Sequence, residues 1–170
     1  MLLEVIDLDK LRRGLIYGAI LLAILTAQDM VLTRISPLGV RAFIVPIFPV
    51  AVGVLQGGWW GMGFGLAAGM LCDTMFAETR IFFTVLMPAL GFMATAAERF
   101  LISRRLVAVV AASVCALVFT AFMQALRTVV LFDASAAAVA KTAALQVLWS
   151  VPFIFPIYYP CRALSRRVLD

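Results

Sequence analysis

The chain has 170 residues, of which 65% are hydrophobic and only 14% are charged. Because a soluble domain of this length is about half apolar and about a quarter charged, most of the excess apolar surface must face lipid. The net charge of +5 comes from Lys and Arg residues scattered between the apolar runs, which is typical of membrane topology signals rather than of a nucleic-acid surface.

The apolar runs predict an all-α integral membrane protein, a single domain over residues 1–170 in which six transmembrane helices form a compact bundle. A helix needs about 20 apolar residues to cross the hydrocarbon core. The second and third runs are short and are joined only by Gln56, Gly57 and Gly58, which favours a tight helical hairpin. A five-span alternative would fuse this pair or make it re-enter. The six predicted spans are residues 14–31, 42–55, 59–72, 81–97, 106–126 and 142–161.

The basic residues between these spans predict the orientation of the chain. With the N-terminus inside, nine of them fall on the inner side: Lys10, Arg12, Arg13, Arg99, Arg104, Arg105, Arg162, Arg166 and Arg167. Five fall on the outer side: Arg34, Arg41, Arg80, Arg127 and Lys141. Because positive charge is enriched in cytoplasmic loops, we expect a multi-pass membrane protein with both termini in the cytoplasm.

A row of glycines is the most informative pattern in the chain. Gly57, Gly61, Gly65 and Gly69 are spaced four residues apart and lead to Asp73. On an α-helix such residues form a ridge without side chains, where the backbone of another helix can approach closely. We therefore predict that the glycines and Asp73 form a helix-packing or partner-binding face. The sequence leaves open whether the opposing helix lies in this chain or in another.

Asp73 is a carboxylate at the outer end of the third predicted helix. We expect its charge to accept hydrogen bonds from the N–H groups of an adjacent helix terminus, or to pair with a basic residue such as Arg80. The alternative is a solvated helix end with no further role.

Polar residues and prolines interrupt the apolar runs at two further places. Gln28 and Asp29, near the outer end of the first span, predict an interfacial polar cluster. Pro152, Pro156 and Pro160 recur every fourth residue in the last span. Each removes an intrahelical hydrogen bond, so this helix must bend or loosen.

Catalytic patterns are missing from the sequence. The chain has no histidine, which removes the commonest general base and metal ligand. Cys72, Cys115 and Cys161 lie in apolar surroundings without a CxxC pattern and read as small buried hydrophobic residues. We expect no enzymatic activity, no cofactor and no metal site.

The stretch GMGFGLAAGMLCD, residues 61–73, resembles the third helix of the rod shape-determining protein MreD family. The ending is also similar to that family, because a last apolar helix runs through Tyr158 and Tyr159 into Arg162, Arg166 and Arg167. The resemblance of layout covers nearly the whole chain, while its specific motif is about 13 residues long.

This resemblance implies a non-enzymatic membrane scaffold in the complex that builds the lateral cell wall and maintains rod shape. The implied partners are the single-span protein MreC, the MreB filament, the RodA glycosyltransferase and a class B penicillin-binding protein. The family's fold is similar to the substrate-binding subunits of energy-coupling-factor transporters. A binder of a small vitamin or metal is therefore the alternative, and it requires polar and aromatic groups converging on an outward pocket.

Overall fold

The computed structural model of the chain describes residues 8–32, 40–75, 81–100, 105–132 and 135–166. These residues form helices, with no β-strand among them. The α-helices are α1 Leu8–Ala27, α2 Ile47–Gln56, α3 Gly58–Met75, α4 Phe82–Phe100, α5 Arg105–Phe132, α6 Ala136–Ser150 and α7 Ile154–Arg166. A π-helical turn, Gln28–Leu32, follows α1, and a 3₁₀ turn, Val151–Phe153, joins α6 to α7.

Three helical segments are long and apolar enough to cross a membrane. They are Lys10–Met30, Leu106–Leu131 and Ala136–Ser165, which correspond to the first, fifth and sixth predicted spans. The prediction of an all-α protein with membrane-spanning helices is thus confirmed in its general form. Helices α3 and α4 have 18 and 19 residues and coincide with the third and fourth predicted spans, for which complete crossing stays a prediction.

The second predicted span is only partly helical. Helix α2 begins at Ile47 rather than at residue 42, and its 10 residues give a length of about 15 Å, half of the hydrocarbon core. Residues 40–46 lie outside any helix although they are mostly buried. Prolines explain the late start: Pro46 immediately precedes the helix, and Pro49 lies in its first turn, where a missing N–H breaks no helical bond.

Helix α2 occupies the centre of the bundle, where it packs against α3, α4, α5 and α7. Its residues 47–54 are all buried. The ring of Phe48 meets the rings of Tyr17 and Phe64 edge-on, at centroid distances of 6.4 and 5.9 Å. A short helix enclosed on all sides in this way has no need of an amphipathic pattern, which is why its run is apolar throughout.

Hydrogen bonds show which helix ends lie together. The Tyr17 hydroxyl donates to the Cys161 carbonyl at 3.3 Å and accepts from Gln56 Nε2 at 3.1 Å. The Ser165 hydroxyl donates to the Leu55 carbonyl at 3.4 Å. Tyr17 of α1 and the ends of α2 and α7 therefore meet towards one end of the bundle, which we call the basic end after Arg162 of α7. We call the opposite end, where α4 begins and α5 ends, the far end.

The proline-rich segment loosens as predicted. Helix α6 stops at Ser150, and the chain passes through the 3₁₀ turn containing Pro152 before α7 begins. Pro160 is accommodated inside α7. The last predicted span is thus two helices joined by a 3₁₀ turn. Ser150, the last residue of α6, contacts the unwound segment before α2.

Topology reporters fused after Arg105 and at Asp170 are expected to report the cytoplasm, whereas fusions after Arg80 and Ser135 are expected to report the outside. The reason is that the predicted inner segments hold nine of the 14 Lys and Arg residues, and positive charge is retained in the cytoplasm. A reporter at Asp170 that lies outside would contradict the account, because it requires an odd number of crossings.

Candidate functional site

The glycine face of α3 packs directly against the backbone of α4. A Cβ added at Gly65 would lie 2.6 Å from the Met87 carbonyl oxygen and 2.8 Å from Pro88 Cα. At Gly69 an added Cβ would collide with the Phe83 carbonyl and lie 2.8 Å from Thr84 Cα. Each step of four residues along α3 matches a step of four back along α4, so the two helices are antiparallel neighbours. The opposing helix therefore belongs to this chain.

Three glycines from three helices meet at one crossing. A Cβ at Gly61 would lie 2.6 Å from Gly53 Cα in α2 and 2.6 Å from the Gly91 carbonyl oxygen in α4. Added atoms at Gly53 and Gly91 would likewise collide with carbonyl groups of Gly91 and Gly61. Because no side chain fits at this point, α2, α3 and α4 approach more closely than helices bearing larger residues can.

Gly57 does not belong to the packing face, and the prediction that it packs against another helix is wrong. It lies in the break between α2 and α3 with φ 101°, a backbone conformation that favours glycine, and an added Cβ would meet nothing within 4 Å. Its N–H donates to the Gly53 carbonyl at 3.0 Å, and its carbonyl accepts from the Gly61 N–H at 3.1 Å. Gly57 thus makes the turn of the predicted tight hairpin.

Asp73 binds the N-terminus of α4 from the neighbouring helix. Its Oδ1 accepts from the Phe83 N–H at 3.1 Å, and its Oδ2 accepts from the Thr84 N–H and hydroxyl, both at 2.7 Å. These N–H groups belong to the first turn of α4 and have no acceptor inside that helix. Of the two roles expected for the charge, the structure shows the helix-terminus role, while Arg80 lies outside the described residues.

A second cluster forms where three interrupted helices meet around residues 42–44. The Gln28 side chain spans this unwound backbone: its Nε2 donates to the Ala42 carbonyl at 2.7 Å, and its Oε1 accepts from the Ile44 N–H at 2.9 Å. The Ser150 hydroxyl oxygen accepts from the Phe43 N–H at 2.9 Å. Gln28 and Ser150 are both buried. In a setting without water, such side chains are what makes non-helical backbone tolerable.

The expectation that Gln28 and Asp29 form one interfacial cluster is therefore corrected for Gln28. Asp29 is exposed, whereas Gln28 turns inward and serves as a structural clamp. Neighbouring residues of a helix point about 100° apart, so Gln28 and Asp29 reach different surroundings.

Polar groups continue from Ser150 along α6 towards the far end. The Ser150 hydroxyl donates to the Gln146 carbonyl at 2.7 Å, and Gln146 Nε2 donates to Gln124 Oε1 of α5 at 3.2 Å. Gln124 and Gln146, together with Thr128 and Thr142, line a cavity of about 290 Å³ between α5 and α6. We call this cavity the polar notch. Its remaining lining consists of alanines and Val139.

The other face of the same helix pair is apolar. A groove of about 730 Å³ runs between α5 and α6, and six of its lining residues are alanines: Ala121, Ala125, Ala136, Ala140, Ala143 and Ala144. Apart from the turn that follows it, α6 packs chiefly against α5. We call this surface the α5–α6 groove. Much of α6 along this groove is exposed.

Several of these residues escaped the sequence analysis. Gly53 and Gly91 fall outside the four-residue glycine row, and Gln124, Gln146 and Ser150 were not singled out. The sequence does contain a signal for the last three, because a single polar residue inside a long apolar run is costly and marks a contact. Among the described residues, no group of three His, Cys, Asp or Glu side chains comes together as a metal site would require.

Comparisons with protein-family models, with curated proteins and with solved structures found no match to this chain.

Gly65→Leu and Gly69→Leu are expected to destabilise the protein by about 3 kcal/mol or more, because the opposing atoms are backbone and cannot move aside. Gly63→Leu is the matched control on the same helix, since an added Cβ there meets nothing within 4 Å. Expression and the thermal unfolding midpoint in detergent measure the difference. Equal stability of all three variants would show that α3 and α4 do not pack through these glycines.

Asp73→Ala is expected to lower the free energy of unfolding by about 2 kcal/mol, because two N–H groups of α4 lose a charged acceptor. Asp73→Asn, which keeps one acceptor oxygen, is expected to cost less. Asp29→Ala changes an exposed carboxylate and serves as the control. If Asp29→Ala lowered the free energy of unfolding as much as Asp73→Ala does, the effect of Asp73→Ala could not be assigned to its contact with α4.

Proposed function

We propose that this chain is a non-enzymatic inner-membrane scaffold of the bacterial complex that synthesises the lateral cell wall and maintains rod shape. The resemblance of residues 61–73 to the MreD family supports this function. By the same resemblance, its direct partner is an MreC-like single-span protein. An MreB filament, a RodA-type glycosyltransferase and a class B penicillin-binding protein complete the assembly.

The motif that carries the resemblance has an internal task in this chain. Gly61, Gly65 and Gly69 are occupied by α4, and Asp73 holds the first turn of the same helix. The glycine face is therefore closed to a partner, and the part of our hypothesis that assigned partner binding to it is withdrawn. A scaffold built on this bundle must present another surface.

The observation that carries the proposal is the α5–α6 groove. Helix α6 is largely exposed along its length and packs chiefly against one neighbour. The alanines of the groove allow the backbone of a further helix to come close, in the way that small residues promote association of membrane helices. A single apolar transmembrane helix of the partner matches this elongated surface and would pack along α6, in either direction.

The alternative function is a substrate-binding subunit of an energy-coupling-factor type transporter. The polar notch favours this alternative, because it is a cavity with converging polar side chains near the far end of the bundle. No aromatic residue is among its described lining, and the described residues offer no metal-ligand cluster. The resemblance to the MreD family and the exposed α5–α6 groove favour the scaffold function over the transporter function.

Depletion of the protein in the bacterium that encodes it tests the two functions against each other. The scaffold predicts that rod-shaped cells become round and that the tagged protein co-purifies with an MreC-like single-span protein in mild detergent. Unchanged cell shape, together with recovery of an ATPase module shared by several binders, would establish the transporter function instead.

Bulky substitutions in the groove test where the partner binds. Ala140→Phe and Ala144→Phe alter exposed positions of α6 and are expected to keep the thermal unfolding midpoint while reducing co-purification of the single-span partner about tenfold or more, the loss caused by overfilling a packed contact. Val85→Phe, at an exposed position of α4 outside the groove, is the control. Wild-type recovery of the partner by both groove variants would exclude this surface as the docking site.

A further inference from the structure

The polar notch has hydrogen-bonding capacity that the chain does not use. Gln146 Nε2 donates to Gln124 Oε1, but among the described residues the Gln124 amide nitrogen has no acceptor and Gln146 Oε1 has no donor. The hydroxyls of Thr128 and Thr142 donate to carbonyls of their own helices at 2.9 and 3.0 Å, which leaves their oxygens free to accept. The notch therefore presents N–H donors beside several acceptors.

A buried hydroxyl lies one helical turn before the notch on α5. Thr120 is four residues before Gln124, and its side chain is 1% exposed. Its Oγ1 has no hydrogen-bond partner among the described residues. Since a buried polar group without a partner is costly, Thr120 adds an unused hydrogen-bonding group to this part of α5.

The charge and the volume of the notch restrict which molecules can bind there. None of its described lining residues is charged, and its volume of about 290 Å³ equals the space of about ten water molecules. Arg127, the nearest cation on α5, is directed towards the Phe82 ring, with 6.0 Å between its guanidinium carbon and the ring centroid. The floor, made of Ala121, Ala125, Val139 and Ala143, is apolar.

We propose that the polar notch binds a small uncharged molecule that carries a carboxamide or an equivalent donor–acceptor edge on an apolar body. The amide oxygen of such a ligand accepts from Gln124 Nε2, and its N–H donates to Gln146 Oε1. The apolar body lies on the alanine and valine floor. The described lining holds no cation that would balance the charge of an anion, and a hydrocarbon leaves both glutamines unsatisfied. This site lies on the face opposite the α5–α6 groove, so it holds whether or not the chain is a scaffold.

Photolabelling with benzamide that carries a diazirine tests the proposal on the full-length protein in lipid nanodiscs. Peptides of α5 and α6 that contain residues 121–128 and 138–146 are expected to carry the label. Excess benzamide should remove it, whereas excess benzoate and excess toluene should not. Label spread evenly over the lipid-facing helices, or competition by toluene or benzoate as effective as that by benzamide, would overturn the proposal.

Variants locate the site. Gln124→Leu and Gln146→Leu are expected to lower labelling about tenfold, the change produced by losing one or two hydrogen bonds. Ala140→Phe, on the opposite groove, is expected to label as the wild type does. If the glutamine variants do not fold, Ala138→Phe decides the question, because it fills the notch from an exposed position of α6. Unchanged labelling of this variant would contradict the proposal.

Discussion

The close approach of α2, α3 and α4 at Gly53, Gly61 and Gly91 is the constraint on which the rest of the bundle depends. Lipid offers no hydrophobic driving force between helices, so association relies on van der Waals contact and on short interhelical distances. Three glycines at one crossing bring three backbones together. Asp73 then binds the first turn of α4 at the far end of the same interface. Together these contacts fix the register of α3 against α4 from the glycine crossing to the far end.

The second crossing, which lies beside this tight packing, has an unusual form. Helix α2 is short because the chain enters the centre of the bundle in an unwound conformation over residues 40–46. Unwound backbone inside a membrane protein needs acceptors and donors from side chains. Gln28 and Ser150 supply them, and each lies where its own helix changes form, at the π-helical turn and at the proline-containing 3₁₀ turn. The irregular segments therefore stabilise one another.

Much of the helical layout could be predicted from the sequence, because long apolar runs and i,i+4 glycines have a direct geometric meaning. The row Gly61, Gly65 and Gly69 implies a face without side chains whatever lies opposite. It could not reveal α4 as the neighbour, since Gly91 is isolated in its helix and carries no periodic signal. Gly57 shares the spacing of the row but makes a turn, because its backbone has positive φ and periodicity is blind to that. The polar notch requires α5 and α6 to be placed side by side before its four polar residues form one site.

The central claim, that α4 meets α3 backbone to backbone, is tested most directly by adding one methyl group from the α4 side. Gly91→Ala introduces a Cβ that collides with the Gly61 carbonyl, whereas at Gly18 of α1 an added Cβ meets nothing within 4 Å. Alanine is favoured over glycine inside a helix by up to about 1 kcal/mol, so the two substitutions are expected to act in opposite directions. The account predicts that the thermal unfolding midpoint in detergent falls for Gly91→Ala and stays equal or rises for Gly18→Ala. A midpoint that rises for both variants would contradict it.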